Sequence, residues 1–173
     1  MPQTPSAPDR DHAQPTRRQA ASTAAFLIVP ASVLGGQAGP ASRDKLNIAG
    51  VGVGGMGFSY LRNCESQNIV ALADVDHGYS ARVFAHFPKA KTYRDYRELL
   101  DKEKGIDAVI IGTPDHTHAF VAMAAMDAGK HVYCAKPLTR TVYEARLLTE
   151  TAKKKKIATQ MSVQSSASDN ART

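Results

Sequence analysis

The chain has 173 residues, of which 43% are apolar, so it can bury one sizeable hydrophobic core and is not disordered over its whole length. Its net charge of +6 includes a run of four lysines at residues 153–156, but no basic stripe interleaved with aromatic residues indicates a nucleic-acid partner. The two cysteines, Cys64 and Cys134, have neither metal-finger nor disulfide-framework spacing, so we expect two buried thiols.

Residues 1–42 have the order of regions that is typical of an export signal. Arg17 and Arg18 precede a weakly apolar stretch, residues 20–34, and small residues follow it. The arginine pair resembles a twin-arginine signal, and cleavage after Ala38 would place the protein in the periplasm or outside the cell. The stretch has about 15 residues, too few to span a membrane. The alternative is a disordered, alanine-rich tail on a cytoplasmic protein.

Residues 45–51 form an apolar run that predicts a first strand, which leads directly into a glycine-rich turn and a helix from residue 55 to about residue 64. The turn fits the pattern Gly-x-Gly-x-x-Gly. Its glycines allow a tight turn, the approach of a pyrophosphate and close packing of helix on strand. The candidate cofactor-binding residues of the turn are Gly52, Val53, Gly54, Gly55, Met56 and Gly57. A second register that begins at Gly50 leaves a shorter strand, so we favour the first.

The next apolar run, residues 68–73, ends in an acid. Asp74 lies 22 residues past Gly52, near the spacing of roughly 20 for the carboxylate that holds the adenosine ribose. That carboxylate accepts hydrogen bonds from the 2′ and 3′ hydroxyls and repels a 2′-phosphate, so the sequence favours NAD over NADP. Asp76 and His77 follow closely, and a solvated turn is the alternative interpretation of this stretch.

Helices and strands alternate along the rest of the chain. Helices are predicted at residues 79–87, 95–104 and 117–128, and a capping box at Thr141 and Glu144 opens a last helix that runs to about residue 155. Strands are predicted at residues 91–93, 106–113, 131–135 and 157–163. This alternation predicts an α/β fold, a doubly wound parallel sheet of Rossmann type with strand order 3-2-1-4-5-6 and helices on both faces.

Five segments together resemble the Gfo/Idh/MocA oxidoreductases, over about residues 44–164. They are residues 52–57, 73–76, 113–118, 128–134 and 136–138. The resemblance implies an N-terminal Rossmann domain that binds NAD or NADP, here residues 43–164, and a second α+β domain that carries most of the substrate site. We expect that second domain to be absent from this chain, with residues 165–173 as the beginning of the linker to it.

The resemblance also implies roles for individual residues. Lys136 matches the lysine of a Glu-Lys-Pro motif that reaches the nicotinamide and the substrate hydroxyl, which makes it the candidate catalytic base or proton relay. Thr113, Pro114 and His118 match the turn that lies beside the cofactor. Ala135 stands where the family usually has glutamate, and an ordinary surface lysine is the alternative interpretation of Lys136.

Three histidines, His116, His118 and His131, raise the question of a metal site. His116 and His118 are two positions apart at a helix start, where they cannot share one face, and spacing places no acidic partner beside them. We therefore predict no metal.

Two functions remain open. In the first, the protein is an exported NAD-dependent oxidoreductase acting on a sugar or polyol, or a related NAD-dependent glycosidase that oxidises a sugar transiently. In the second, it is a truncated, non-catalytic dinucleotide-binding module, as Ala135 and the missing second domain indicate. For residues 39–173 we expect cofactor binding without appreciable turnover, no membrane span, and homo-oligomers formed through exposed apolar surface.

Overall fold

The sheet at the centre of the protein has six parallel strands in the order β3-β2-β1-β4-β5-β6. The strands are β1 (Asn47–Val51), β2 (Asn68–Ala73), β3 (Lys91–Tyr93), β4 (Ala108–Ile111), β5 (His131–Cys134) and β6 (Thr159–Met161). Their order and direction confirm the predicted doubly wound Rossmann sheet. The computed structural model describes residues 45–163, so the predicted export signal in residues 1–42 and the predicted linker in residues 165–173 lie outside the described residues.

Both faces of the sheet are covered. The helices of the described range are α1 (Gly55–Arg62), α2 (Ala81–His86), α3 (Tyr96–Lys102), α4 (His118–Asp127) and α5 (Val142–Lys155). Alternate strand residues point to opposite faces. In β4, Val109 and Ile111 pack with α3, α4 and α5, whereas Ile110 packs with α1 and α2. Burial on both sides explains the nearly continuous apolar sequence of the central strands.

Helix α2 begins at Ala81, two residues later than the sequence predicts. A carboxylate oxygen of Asp76 accepts the N–H of Tyr79 at 2.9 Å, and the carbonyl of Asp76 accepts the N–H of Ser80 at 3.0 Å. These bonds hold the residues before α2 in a turn, as aspartate side chains commonly do. The turn carries Tyr79 to the glycine-rich segment between β1 and α1.

Strand β6 also begins two residues later than predicted, because the end of α5 extends into the preceding loop. Lys156 adopts the left-handed conformation, with φ of 56°, and the N–H of Ile157 bonds to the carbonyl of Ala152 at 2.9 Å. Ile157 therefore belongs to the helix end and is not available to the sheet.

The starts of α4 and α5 differ in how well they were predicted. Residues Asp115–Thr117 form one turn of 3-10 helix, so α4 begins at His118. The predicted capping box of α5 is confirmed. Oγ1 of Thr141 accepts the N–H of Glu144 at 3.1 Å, and the carboxylate of Glu144 accepts the N–H of Thr141 at 3.0 Å.

Within residues 45–163, no helix is both long enough and apolar enough to cross a membrane.

Candidate functional site

A cleft of about 870 Å³ opens at the carboxyl ends of β1, β2, β4 and β5. The strand order reverses here, since β2 lies on one side of β1 and β4 on the other. In open α/β sheets, ligands bind in the crevice at such a switch point. Nine of the eleven predicted site residues line the cleft, and the other two, Val53 and Gly57, are buried.

Two glycines let the turn between β1 and α1 pack against its neighbours. Gly52 has φ of 71°, and a Cβ added to it would lie 2.5 Å from the backbone nitrogen of Thr113. A Cβ on Gly57 would overlap the carbonyl oxygen of Gly52. Because both obstacles are backbone atoms, a side chain at either position would push α1 or β4 away from the turn.

The middle of the turn is open towards the cleft. Gly55 is exposed, with φ of 49°, and Met56 is 54% exposed. The first N–H groups of an α-helix have no intrahelical acceptor, and no residue within 45–163 accepts from the amides of Gly55 and Met56. These two amides at the positive end of α1 can bind an anion.

Tyr79 covers the second glycine of the turn. A Cβ on Gly54 would overlap the ring of Tyr79, and the phenol oxygen is 3.3 Å from the position of a Cβ on Gly55. Tyr79 nevertheless remains 68% exposed and lines the cleft. Tyr79 is not among the predicted site residues, since nothing in the sequence indicates that the turn before α2 reaches the glycines.

Asp74 follows β2 and binds the glycine turn through its carboxylate. Oδ2 accepts three hydrogen bonds, from the N–H of Val53 at 2.9 Å, the N–H of Gly54 at 3.1 Å and the hydroxyl of Ser80 at 2.6 Å. Oδ1 accepts one, from the N–H of Asp76 at 3.0 Å. Oδ1 therefore retains acceptor capacity for a hydroxyl group in the cleft. Asp74 shapes the turn in addition to its predicted role as the ribose ligand.

Arg94 follows β3 and lines the same end of the cleft as Asp74. Its guanidinium donates to the carbonyl of Val75 at 3.1 Å. Arg94 is not among the predicted site residues either. Residues that directly follow parallel strands border the ligand crevice, so its position after Tyr93 was a usable signal.

Thr113 and Pro114 follow β4 on the opposite wall of the cleft. The hydroxyl Oγ1 of Thr113 is buried and has no hydrogen-bond partner among the described residues. Leaving a buried polar group unpaired costs about 1–3 kcal/mol. A ligand that supplied a partner for Oγ1 would recover part of that cost.

His118, the first residue of α4, is 1% exposed and joins two turns. Its Nε2 lies 2.7 Å from the carbonyl oxygen of Thr113, and its Nδ1 lies 2.6 Å from the carbonyl oxygen of Pro137. Both ring nitrogens are engaged with the backbone, so neither is free to bind a cofactor in this arrangement. The predicted contact of His118 with a cofactor stays a prediction.

Lys136 lies after β5, exposed at the cleft, and is followed by Pro137 through a cis peptide bond. Ala135, immediately before it, is 8% exposed and belongs to the apolar cluster that contains Tyr60. The hydroxyls of Tyr60 and Ser162 are 2.9 Å apart. The side of Ala135 that faces the sheet therefore packs among apolar residues, at the position where the related motif has glutamate.

The groups next to this part of the cleft stay neutral. Burial raises the pKa of the Tyr133 hydroxyl, whose ring packs edge-on against Tyr60 at a centroid distance of 5.4 Å. Burial also raises the pKa of the Cys134 thiol to about 12. Cys134 is therefore inert near neutral pH, because the thiolate is the nucleophilic form.

The three histidines do not come together as metal ligands. No group of three or more His, Cys, Asp or Glu side chains within residues 45–163 could hold a metal ion. His116 is exposed at the edge of a second cavity of about 590 Å³, which Thr139 and Arg140 also line. His131 lies at the start of β5, where its Nδ1 accepts the N–H of Ala158 at 3.1 Å.

The cleft fits a dinucleotide on three observations. The turn exposes backbone without a side chain at Gly55, where the amides of Gly55 and Met56 can receive a phosphate. Oδ1 of Asp74 can accept from a ribose hydroxyl, and Oγ1 of Thr113 is an unpaired buried group.

Comparison with known proteins also indicates a dinucleotide-binding fold. The sequence profile of the Gfo/Idh/MocA oxidoreductase family, described by its NAD-binding Rossmann fold, matches residues 46–163. Inositol 2-dehydrogenase from Salmonella paratyphi B is 33% identical over 109 residues, which are 60% of this chain and 32% of that protein. Glycosyl hydrolase family 109 protein 1 from Shewanella sp. strain ANA-3 is 33% identical over 123 residues, 64% of this chain and 27% of that protein.

A solved structure shows the same fold. The crystal structure of myo-inositol 2-dehydrogenase from Lactobacillus plantarum aligns with a TM-score of 0.68 and 25% identity, and the alignment covers 75% of this chain and 39% of that one. The chain thus spans about a third of the length of the curated relatives it matches.

Proposed function

The chain belongs to the Gfo/Idh/MocA family of oxidoreductases with an NAD-binding Rossmann fold, and we propose that its cleft binds NAD in preference to NADP, as the cofactor half of an exported enzyme that acts on a sugar or polyol. The observation that carries this proposal is the glycine turn at the switch point of the sheet, where the amides of Val53 and Gly54 bind the carboxylate of Asp74 and the next two amides have no acceptor among the described residues. Family membership supplies the reaction class, and the cleft supplies the binding residues.

The preference for NAD rests on Asp74. Its carboxylate has acceptor capacity for the ribose hydroxyls, and its negative charge repels a 2′-phosphate at the same place. Arg94 opposes this effect, because a guanidinium binds phosphate well. We assign the larger effect to Asp74, since its carboxylate is fixed by four hydrogen bonds.

The test is the ratio of the dissociation constants of the full 173-residue chain for NADP and NAD, measured by calorimetry. We expect the wild type to bind NAD more tightly and Asp74→Asn to lower the ratio by about tenfold, which corresponds to the loss of one charge interaction of about 1.4 kcal/mol. If Asp74→Asn also disturbs the glycine turn, the affinities for both cofactors fall together, and this effect cancels in the ratio of the dissociation constants. Asp76→Asn is the matched control and should leave the ratio unchanged. Equal binding of both cofactors by the wild type would refute the preference.

Lys136 is the proposed catalytic residue. When bound, NAD supplies the hydride acceptor. The amine Nζ of Lys136, exposed at the cleft, takes up the proton of the substrate hydroxyl as the carbinol carbon is oxidised. Ala135 places no carboxylate beside this amine, so the reaction has to proceed without one. Because relatives are named inositol 2-dehydrogenase and glycosyl hydrolase family 109 protein, dehydrogenation and NAD-dependent glycoside cleavage are the two candidate reactions.

Two products distinguish these reactions. The chain is incubated with NAD and a panel of sugars, polyols and aryl glycosides, while reduced cofactor and released phenol are followed by absorbance. Net accumulation of reduced cofactor supports a dehydrogenase, and phenol release without it supports a glycosidase. For this chain alone we expect neither product above background. Turnover that disappears with Lys136→Met would overturn that expectation and support the proposed role of Lys136, whereas turnover that persists in Lys136→Met would contradict that role.

The proposal that the protein is exported rests on Arg17, Arg18 and the apolar stretch at residues 20–34. Residues 1–45 are fused to a reporter that functions only after folded export, and the fusion is compared with its Arg17→Lys/Arg18→Lys variant. We expect export that the double substitution abolishes. A fusion that stays in the cytoplasm would contradict the proposal.

A further inference from the structure

The phenol hydroxyl of Tyr79 lies beside the part of the glycine turn that is open to the cleft. Its oxygen is 3.3 Å from the position of a Cβ on Gly55. Gly55, Met56 and Tyr79 all line the cleft, and the amides of the first two have no acceptor within residues 45–163. The start of α1 therefore brings one side-chain donor close to two backbone donors.

The backbone and the ring of Tyr79 are both held in place. The N–H of Tyr79 donates to the carboxylate of Asp76 at 2.9 Å. The next residue, Ser80, is fully buried, and its hydroxyl donates to Oδ2 of Asp74 at 2.6 Å. The ring packs on Gly54, where it occupies the space that a Cβ would need. The phenol oxygen is thus positioned before a ligand binds, which reduces the entropy that binding costs.

The hydroxyl of Tyr79 is available to a ligand. No residue within 45–163 forms a hydrogen bond with it, and the side chain is 68% exposed. Two other tyrosines have hydroxyls that are engaged within the protein, since that of Tyr60 lies 2.9 Å from the hydroxyl of Ser162 and that of Tyr93 donates to Glu103. A phenol hydroxyl can donate one hydrogen bond.

No lysine or arginine serves the glycine turn. Among the described residues that line the cleft, only Arg94 and Lys136 are of these types. The guanidinium of Arg94 donates to the carbonyl of Val75 after β2, and Lys136 follows β5 on the opposite wall. A doubly charged pyrophosphate at the turn would therefore depend on hydrogen bonds, and a bond from a hydroxyl to an anion is roughly twice as strong as a neutral one.

We propose that Tyr79 is a cofactor-binding residue, whose hydroxyl donates a hydrogen bond to the pyrophosphate received by the amides of Gly55 and Met56. The inference rests on the proposed function, because the pyrophosphate is that of the dinucleotide. It also gives the contact between the ring and Gly54 a function, since this contact sets the phenol oxygen beside Gly55. Loss of the hydroxyl alone should weaken every ligand that has a pyrophosphate, whatever groups are attached to it.

Tyr79→Phe tests the inference, because it removes the hydroxyl and keeps the ring on Gly54. We expect the affinity of the full chain for NAD, measured by calorimetry, to fall about fivefold. The affinity for inorganic pyrophosphate, measured from the amide ¹H–¹⁵N shifts of Gly55 and Met56, should fall by a similar factor. The affinity for adenosine, which has no phosphate, should change less than twofold.

Two controls accompany this variant. Tyr143→Phe removes the same group from a side chain that is 73% exposed at the start of α5 and does not line the cleft, so all three affinities should stay at the wild-type values. Urea unfolding of Tyr79→Phe should match that of the wild type, because the hydroxyl has no partner among residues 45–163.

The outcomes separate this inference from the proposed function. Wild-type affinity of Tyr79→Phe for NAD and pyrophosphate would overturn the role of Tyr79 and leave the proposed function intact. Equal losses for NAD and adenosine would also overturn it, because the hydroxyl would then act outside the pyrophosphate. If the wild type binds pyrophosphate but not NAD, the proposed function fails, and the pyrophosphate affinities still decide on Tyr79. If it binds neither ligand, both proposals fail.

Discussion

The two halves of the sheet build their walls of the cleft in different ways. In the β1–β3 half, the wall is backbone, because Gly52 and Gly55 have positive φ and Asp74 binds the amides between them. In the β4–β6 half, the wall consists of the turns after β4 and β5, and the side chain of His118 joins them. One wall depends on positions without a side chain, and the other depends on a single side chain.

This difference separates stability from function. A substitution in the glycine turn disturbs the packing of β1, α1 and β4, so it should reduce folding and ligand binding together. A substitution at Lys136, which is exposed, should change binding at one end of the cleft and leave stability intact.

Gly57→Ala should have the largest effect. The added Cβ would overlap the carbonyl of Gly52, a backbone atom, so we expect a loss of about 3 kcal/mol in the free energy of unfolding, at the upper end for overpacked sites. Urea unfolding followed by circular dichroism measures it. Gly105→Ala is the matched control, because a Cβ there meets nothing within 4 Å, and its change should stay below about 0.5 kcal/mol. Similar values for the two variants would contradict the packing role of Gly57.

Gly54→Ala should have a smaller effect that depends on Tyr79. The added Cβ overlaps the ring of Tyr79, a side chain that can move, so we expect a loss of about 1–2 kcal/mol in stability that mostly disappears in the Tyr79→Ala background. NAD binding should remain weak in the double variant, because a phosphate also requires Gly54 to lack a side chain. Recovery of NAD binding in the double variant would show that position 54 needs glycine only to make room for the ring of Tyr79.

Lys136→Met should weaken the binding of the nicotinamide end of the ligand and leave the binding of the rest unchanged. We expect the affinity for NADH to fall about fivefold, equivalent to about 1 kcal/mol, while the affinity for ADP-ribose, which lacks the nicotinamide, changes less than twofold. Fluorescence titration measures the first ligand and calorimetry the second. Lys89→Met, an exposed lysine outside the cleft, is the control. Equal losses for both ligands would place Lys136 away from the nicotinamide.

Thr141→Ala should affect stability alone and tests a feature just outside the cleft. Loss of the capping box of α5 should cost about 1 kcal/mol in the free energy of unfolding and leave NAD affinity unchanged. Thr149→Ala is the matched control, because the hydroxyl of Thr149 only bonds to the carbonyl one turn earlier in α5 and its removal should be nearly neutral. A fall in NAD affinity would mean that α5 also positions the turn of Lys136.

The wall of the β1–β3 half was largely predictable because its requirements are local. A positive φ and the absence of a Cβ are properties of individual glycines, and the spacing from Gly52 to Asp74 is set by one helix and one strand. The bonds from Asp74 to the glycine turn, and the ring of Tyr79 on Gly54, depend on how separate segments meet. No periodicity in the sequence indicates how these segments pack against one another.

The wall of the β4–β6 half was predictable only by resemblance. The sequence placed Thr113, His118 and Lys136 near one another, but spacing alone did not indicate that both nitrogens of His118 would bond to carbonyls. Those bonds join two turns that follow different strands, and their existence depends on the pairing of β4 with β5. Tertiary distances of this kind become visible only in the folded structure.

Bound NAD should contact both walls of one cleft. Amide ¹H–¹⁵N spectra of the full chain, recorded during titration with NAD, report on both walls in a single experiment. We predict saturable shifts at the amides of Gly55 and Met56 on one wall and at Thr113 and Lys136 on the other, with one dissociation constant for all four. No saturable shifts, or shifts confined to the lysines at the end of α5, would contradict the account.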